Sequence, residues 1–362
     1  PAPLGPVPAP DGPLDVAVVV PAFREGSGGH ATIANLVRGL EARGHACSLW
    51  LHDPLGTHAA EPDVAATFTR FFGPVGGPLH RSLDGWPGAE VVLATGWQTV
   101  HRVLGLPGAG ARAYLVQDHE PEFYATSSER LWAAETYRLG LHAITAGPWL
   151  AELMREEYGA SATPFDLAVD HARYAPGATD ASGPEVVAFY ARTSTPRRAV
   201  ALGLLALGEL TRRRPQTRVV LFGGAPAMDL PFAARFDGVL GPGALAALYR
   251  EATVGMVLSL TNYSLIAQEM LACGLACVEL DTPSTRAAFG SDAPLELAPA
   301  TVEGLIGALT RLLDDPGLRA RRSEAGLALV APRTWSRAAE QVEAGLRAAV
   351  AVRGQSSTPP PR

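Results

Sequence analysis

The feature that most constrains the fold is a short, uninterrupted apolar run at residues 15–20, with the sequence DVAVVV. It lacks the polar alternation of a half-exposed strand, so it predicts a strand buried on both faces, as in a parallel sheet. A helical pattern over residues 31–43 stops at Gly44, and a second apolar run follows at 46–51. Strand, helix and strand in this order form a βαβ unit, the building block of a doubly wound sheet.

The same alternation continues along the chain and is interrupted once, at residues 165–176, which are the best linker candidate. Further strands are predicted at 90–95, 113–117, 143–146, 186–190, 218–222, 254–258 and 276–280. Helices are predicted at 200–213, 242–251, 265–273 and 336–352. The pattern predicts an α/β protein with two Rossmann-like, doubly wound domains.

These elements define an expected domain organisation. We expect residues 1–13 to form a disordered lead, 14–170 the first domain, 171–335 the second domain and 353–362 a disordered tail. The last helix, 336–352, is expected to cross back onto the first domain.

Composition excludes several classes of protein. A net charge of −6 gives no support for nucleic-acid binding, so any phosphate site must be local. The three cysteines, Cys47, Cys273 and Cys277, are too few for a disulfide scaffold and form no metal-type cluster. The chain has no run of 18 apolar residues and no visible signal peptide, so we expect a cytoplasmic protein with, at most, peripheral membrane contact.

Two segments of the second half point to a diphosphate site. Residues 261–274, TNYSLIAQEMLACG, form a polar loop that opens into a helix, whose first amides at Ser264 and Leu265 suit an anion. Arg192 and Arg198 follow an apolar strand and carry forked donors that match phosphate oxygens. Glu269, about two turns into the helix, is placed to accept hydrogen bonds from sugar hydroxyls.

These segments resemble the C-terminal half of family 4 GT-B glycosyltransferases. The family motif has two glutamates eight positions apart and ends in Cys-Gly; here Glu269 and the run MLACG match it, whereas Thr261 replaces the first glutamate. Arg192 matches the family's diphosphate-binding arginine, and Arg198 stands where the family has lysine. Segments 116–124, 133–138, 144–150 and 258–262 narrow the resemblance to bacterial rhamnosyltransferase-like enzymes of polysaccharide assembly.

The resemblance implies a GT-B architecture with two domains facing a cleft, a nucleotide-diphospho-sugar donor, anomeric retention, and neither metal nor other cofactor. It also implies further site residues. Gly28 and Gly29 would lie near the donor diphosphate, Leu240 beside the nucleobase with Glu269 on the nucleoside, and Thr261 and Asn262 on the donor sugar. Trp97 is a candidate platform for that sugar, although core packing is nearly as good an explanation of its position.

The catalytic role is open between two neighbours, Asp118 and His119, which follow a predicted strand end. Asp118 would orient or deprotonate the acceptor hydroxyl, and its structural alternative is a helix cap. A divalent-metal site at Asp118-His119-Glu120 is a weaker interpretation, because the fold pattern differs from that of enzymes with such a motif.

The substrates are less constrained than the fold. A 6-deoxyhexose would suit the loss of the first motif glutamate, and dTDP-rhamnose is the expected donor. The acceptor would be a glycan, a lipid-linked glycan or a small-molecule hydroxyl. The alternative function is a non-catalytic, nucleotide-binding partner subunit of a glycosyltransferase complex. A pyridoxal-phosphate-dependent phosphorylase is disfavoured, because the chain has no lysine to form a Schiff base.

Overall fold

The structure is a computed structural model that describes residues 1–9, 11–177, 183–224, 229–290, 292 and 294–356. The chain divides into two compact units. Unit 1 contains Pro1–Leu167 and Trp335–Arg362, and unit 2 contains Ala168–Thr334. The boundaries predicted from the sequence are 170 and 335.

Unit 1 is built on a seven-stranded parallel sheet. Its strands are β1 (Asp15–Pro21), β2 (Ala46–His52), β3 (Leu79–His80), β4 (Ala89–Ala94), β5 (Ala109–Val116), β6 (His142–Ala146) and β7 (Ala162–Phe165). Its helices are α1 (Gly28–Ala42), α2 (Val64–Phe72), α3 (Trp97–Leu104), α4 (Ser128–Thr136) and α5 (Pro148–Glu156). A short 3₁₀ helix covers Glu120–Phe123.

The sheet order of unit 1 is β3-β2-β1-β4-β5-β6-β7, and all neighbouring strands are parallel. Val16 of β1 aligns with Cys47 on one side and with Val91 on the other. Five consecutive residues of β1 are buried, as its unbroken apolar run predicts. Because the chain winds outward from β1 to β3 and then returns to β4, the winding direction reverses between β1 and β4.

The last helix, α12 (Trp335–Ser356), completes unit 1 by packing on α1 and on strands β5 to β7. Glycines allow this close approach. A Cβ on Gly39 would lie 2.4 Å from the Cβ of Ala339, and one on Gly345 would lie 2.8 Å from Ile144. The predicted return of the C-terminal helix to the first domain is confirmed.

Unit 2 is built on a six-stranded parallel sheet. Its strands are β8 (Val186–Tyr190), β9 (Arg218–Phe222), β10 (Ala234–Gly238), β11 (Val254–Met256), β12 (Cys277–Leu280) and β13 (Glu296–Ala298). Its helices are α6 (Val200–Arg213), α7 (Pro242–Glu251), α8 (Leu265–Ala272), α9 (Pro283–Phe289), α10 (Val302–Asp314) and α11 (Pro316–Val330). A 3₁₀ turn at Pro196–Arg198 precedes α6.

The sheet order of unit 2 is β10-β9-β8-β11-β12-β13. The chain winds outward from β8 to β10 and returns to β11, so the winding direction reverses between β8 and β11. The core lies between the sheet and helices α6 and α10, with fully buried side chains such as Phe189, Leu207 and Leu309. Gly203 lets α6 approach the sheet, since a Cβ there would lie 2.3 Å from the Phe189 ring.

The structure corrects the predictions for both chain ends. The prediction of a disordered lead is wrong for residues 1–9. The amide of Ala2 donates to the Leu104 carbonyl at 2.7 Å, and that of Gly5 donates to the Ala109 carbonyl at 2.8 Å. These hydrogen bonds attach the segment to the end of α3 and the start of β5. At the other end, α12 continues through Ser356, and residues 357–362 of the predicted tail lie outside the described residues. None of the described helices is both long and apolar enough to cross a membrane.

Candidate functional site

The predicted phosphate-binding residues follow the two central strands of unit 2, β8 and β11. Carboxyl ends of parallel strands meet at one edge of a sheet, and open α/β sheets bind ligands where the winding direction reverses. Arg192 and Arg198 follow β8, and residues 259–264 follow β11, so they share that edge. The topology thus brings the two segments together as the sequence predicts.

Arg198 is held by Ser259, which follows β11 and is itself held by Glu279 of β12. Its Nη1 donates to the Ser259 hydroxyl at 2.6 Å. The Ser259 hydroxyl in turn donates to Oε2 of Glu279 at 2.9 Å, and Glu279 lies in β12 with no solvent exposure. Burial raises the pKa of Glu279 to about 7, against the opposing effects of the Leu280 amide and of Arg198. Arg192 lies two residues after β8 and is half-buried.

The residue after Arg198 has an uncommon backbone conformation. Ala199 has φ 44°, in the left-handed region that non-glycine residues rarely adopt. Such a conformation costs about 1–3 kcal/mol and persists where the surroundings enforce it, often at ligand sites. The turn that presents Arg198 is therefore a strained one.

The loop before α8 contains the residues that are predicted to contact the donor sugar and the diphosphate. Thr261 and Asn262 are buried, and Asn262 Oδ1 accepts from the Ser284 hydroxyl at 2.8 Å. Thr261 Oγ1 is buried and has no hydrogen-bond partner among the described residues. Ser264 caps α8 by accepting from the Ile266 amide at 3.2 Å, so its side chain is partly occupied, and Leu265 begins the helix.

Glu269 lies inside α8 with its side chain against two tyrosines, Tyr174 and Tyr249. Burial raises its pKa to about 8, and the two hydroxyls act in the opposite direction. Oε2 of Glu269 is buried and makes no hydrogen bond within the described part of the chain. Buried polar atoms without partners are rare in folded proteins, and a ligand that supplies hydroxyl groups would satisfy them. Leu240, the predicted nucleobase neighbour, is half-buried and immediately precedes the cap of α7, the helix that carries Tyr249.

In unit 1, the predicted glycines and Trp97 lie where the winding direction reverses between β1 and β4. Gly28 and Gly29 begin α1, which follows β1, and Trp97 begins α3, which follows β4. A Cβ on Gly28 would meet no atom within 4 Å, and one on Gly29 would lie 3.6 Å from the Gln117 side chain. Since neither has the positive φ that requires glycine, internal packing does not explain the pair.

The imidazole of His30 is fixed in one neutral form beside these glycines. Its Nε2 lies 3.2 Å from the Pro21 carbonyl, which can only accept, so Nε2 carries the proton and Nδ1 accepts from the Ser27 hydroxyl at 2.8 Å. Burial lowers the pKa of His30 to about 4. His30 therefore links the start of α1 to the end of β1, and the Ser27 side chain does not cap the α1 amides.

Asp118 and His119 are both buried directly after β5, the neighbour of β4. Oδ1 of Asp118 accepts from the His119 amide at 2.9 Å. The His119 ring pairs with the Tyr158 hydroxyl at 2.7 Å through Nε2 and lies 3.4 Å from Glu122 through Nδ1. Both nitrogens of His119 are thus engaged by protein groups.

Trp97 is half-buried, and its indole N–H donates to the Tyr124 hydroxyl at 3.0 Å. The two rings meet edge to face at 6.0 Å between centroids. The third member of the Asp118-His119-Glu120 segment, Glu120, faces the start of α3 and accepts from the Trp97 amide and the Tyr114 hydroxyl. Within the described residues, no group of three or more His, Cys, Asp or Glu side chains is arranged to hold a metal ion.

A cavity of about 560 Å³ lies at the carboxyl ends of β2 and β3, away from the predicted site residues. It is lined by Leu51, His52, Asp53, Pro54, Gly56, His58, Ala59, Arg81, Ser82, Leu83, Asp84 and Arg102. Arg81 donates to the carbonyls of His58 and Glu61 and thereby holds the loop that forms one wall.

No role is predicted from the sequence for four side chains of the candidate site in unit 2: Tyr174, Tyr249, Ser259 and Glu279. An acidic residue near the end of an apolar, strand-like run, such as Glu279, can be recognised in the sequence as a candidate site residue. Its partner Ser259 is 20 positions away, however, and only the pairing of β11 with β12 brings the two together. No local pattern marks the tyrosines as neighbours of Glu269.

Comparison with known proteins identifies similar sequences and similar folds. The family defined by the C-terminal domain of WsaF matches residues 185–309. The O-antigen biosynthesis protein RfbC of Myxococcus xanthus is 33% identical over 265 residues, which cover 72% of this chain and 21% of that protein. The chain therefore spans about a fifth of the length of this curated relative.

Solved structures match nearly the whole chain. Sucrose-phosphate synthase from Thermosynechococcus elongatus superposes with a TM-score of 0.70 at 15% identity, covering 93% of this chain and 99% of that one. HepE of Anabaena, in complex with UDP and glucose, gives a TM-score of 0.69 at 12% identity and covers 92% and 99%. The chain has the GT-B fold of these proteins, and the predicted fold class is confirmed.

Proposed function

We propose that this protein is a glycosyltransferase of polysaccharide assembly that moves a sugar from a nucleotide-diphospho-sugar to a hydroxyl group. The observation that carries the proposal is Glu269, a buried carboxyl group with an unpartnered oxygen behind a loop that opens into a helix. Ribose hydroxyls are donors of the right kind for that oxygen. The GT-B fold and the similarity to an O-antigen biosynthesis protein support the same function.

In the proposed chemistry, donor groups of unit 2 stabilise the negative charge of the leaving diphosphate. Arg192, Arg198 and the first amides of α8 would neutralise the diphosphate that leaves the donor, which is electrostatic stabilisation by groups already in place. No metal is needed for this step. Gly28 and Gly29 would contact the donor diphosphate, Trp97, Thr261 and Asn262 its sugar, and Leu240 its base.

Asp118 is the proposed group that orients the acceptor hydroxyl or accepts its proton, with His119 as the alternative. His119 is the weaker of the two because its ring nitrogens already face Tyr158 and Glu122. Membership of family 4, anomeric retention, a cytoplasmic location and dTDP-rhamnose as the donor are further parts of the proposal. UDP-glucose is the main competing donor, because HepE has been crystallised with it.

A panel of UDP, GDP, dTDP and ADP, each with its common sugar conjugates, tests the donor by thermal shift and calorimetry. Donor hydrolysis or sugar transfer is then measured with the nucleotide that binds. We expect one base to stabilise the protein by several degrees and its sugar conjugate to turn over. Nucleotide binding without turnover would favour the non-catalytic partner subunit, for which the replacement of the first motif glutamate by Thr261 is the supporting observation.

A further inference from the structure

Glu279 has an unexpected position for a charged residue. It lies in the central part of unit 2, in β12, between the buried side chains of Val278 and Leu280, and is itself fully buried. Burying a carboxylate is costly unless hydrogen bonds compensate. Apolar replacements of buried ionic groups are often neutral or stabilising. The stability of the sheet alone therefore does not account for a glutamate here.

Both oxygens of Glu279 are directed to Ser259. Oε1 accepts from the Ser259 amide at 2.8 Å and from the Leu280 amide at 2.7 Å, and Oε2 accepts from the Ser259 hydroxyl at 2.9 Å. This double contact fixes the backbone and the side chain of Ser259 at the carboxyl end of β11.

The Ser259 hydroxyl makes a second hydrogen bond, to Arg198. A guanidinium can only donate, so the 2.6 Å contact between Nη1 and the Ser259 hydroxyl uses a lone pair of that oxygen. The Ser259 proton is then directed to Glu279. A backbone contact joins the same two loops, since the Leu260 amide donates to the Arg197 carbonyl at 3.0 Å.

We propose that Glu279 is a positioning residue of the donor-diphosphate site, which acts through Ser259 to fix the guanidinium of Arg198. The inference rests on the proposed nucleotide-sugar site. Fixing Nη1 on Ser259 leaves, among the described residues, the Nε and Nη2 groups of Arg198 for a diphosphate. An arginine whose rotamer is set before the ligand arrives loses less entropy on binding.

The test is a double-mutant cycle on affinity for the nucleoside diphosphate that binds best in the panel, with UDP and dTDP run in parallel. Glu279→Gln reverses the bond to Ser259, because an amide nitrogen must donate. We expect it to weaken binding about tenfold, as does Ser259→Ala, which removes the intermediate group. In an Arg198→Ala background neither change is expected to weaken binding further. A purely structural role for Glu279 predicts equal losses in both backgrounds, and that result would overturn the inference.

Two variants keep the test decisive. In Ser259→Ala the backbone amides of residues 259 and 280 can still donate to Glu279. This variant therefore tests the inference even if Glu279→Gln does not fold. Glu296→Gln is the matched control, because Glu296 is also a buried strand glutamate, in β13, but pairs with Arg311 and Arg322; its affinity for the nucleotide is expected to equal that of the wild type.

Failure of the inference differs from failure of the proposed function. If the wild-type protein binds none of the nucleotides, the proposed function is wrong. If the wild type binds and Arg198→Ala weakens binding, but Glu279→Gln and Ser259→Ala do not, only the positioning role is wrong.

Discussion

The carboxylate of Glu120 accepts a hydrogen bond from the backbone amide of Trp97 at 2.6 Å. Trp97 is the first residue of α3, so Glu120 satisfies an amide that the helix leaves unpaired. The Tyr114 hydroxyl donates to the same oxygen at 2.6 Å. Of the acidic residues in the Asp118-His119-Glu120 segment, Glu120 thus has a structural role, and Asp118 remains as the candidate for chemistry.

The first prediction concerns Asp118. If it meets the acceptor or the reacting centre, Asp118→Asn should lower turnover by about 10²-fold or more, within the usual range for general acid–base catalysis. Nucleotide affinity should change little. Steady-state transfer, or donor hydrolysis, is measured beside calorimetric binding. His119→Gln is the companion variant, and full activity in Asp118→Asn with loss in His119→Gln would assign the role to His119.

The diphosphate prediction concerns Arg192. Arg192→Ala should cost about 1.5–3 kcal/mol in affinity for the nucleoside diphosphate, the range for a hydrogen bond to a charged group. Arg218→Ala is the matched control, because Arg218 is exposed at the opposite, amino end of β9. Unchanged calorimetric affinity in a folded Arg192→Ala protein would remove this residue from the site.

The glycine prediction concerns Gly28. Because a Cβ at this position meets no protein atom within 4 Å, Gly28→Ala should not lower the melting temperature. If the start of α1 contacts a substrate, the methyl group should nevertheless weaken donor binding or raise the KM for the acceptor. Gly307→Ala, in the middle of α10, is the control for a general helix effect. Wild-type kinetics in Gly28→Ala would argue against a contact with substrate here.

Much of the fold follows from local sequence patterns. Strand β8 and helix α6 have the bounds that their apolar run and helical periodicity predict, because both signals are confined to the segment itself. Strands β3, β7, β10 and β13 are not predicted: β3 and β13 contain only two and three residues, too few for any periodicity, and β7 and β10 lack a continuous apolar run. Whether such a segment forms a strand depends on the strand it pairs with, which the local sequence does not show.

The candidate site is only partly visible in the sequence for a similar reason. Arg198 and Glu269 belong to recognisable segments, whereas their supports come from other elements: Ser259 and Glu279 beneath Arg198, and Tyr174 and Tyr249 beside Glu269. Burial, which raises the pKa of Glu269 to about 8, is a property of the packed unit and has no counterpart in the local sequence.

The metal prediction follows from charge neutralisation by arginines and helix amides. We expect transfer to survive saturating EDTA with less than about a twofold loss, since in the proposed mechanism arginines and helix amides take the place of a cation. The assay uses protein dialysed against the chelator. Loss of activity with EDTA and its return with Mg²⁺ or Mn²⁺ would contradict the prediction and direct attention back to Asp118 and its neighbours.

The last prediction uses the raised pKa of Glu269. The folded protein holds this proton up to a pKa of about 8, whereas the unfolded chain loses it near 4.5. Between these values the folded state binds more protons than the unfolded state, so this group makes the free energy of unfolding fall as pH rises. Glu269→Gln cannot lose a proton, and its melting temperature relative to the wild type should therefore increase from pH 5 to pH 8 in the empty protein. Glu269→Gln should nevertheless bind the nucleotide more weakly than the wild type does, because an ionised carboxylate accepts more strongly from ribose hydroxyls than an amide does. Thermal melts at each pH and calorimetry at pH 8 measure the two effects on the same variant. A variant that is less stable than the wild type across the range, with normal nucleotide affinity, would make Glu269 a structural residue of α8.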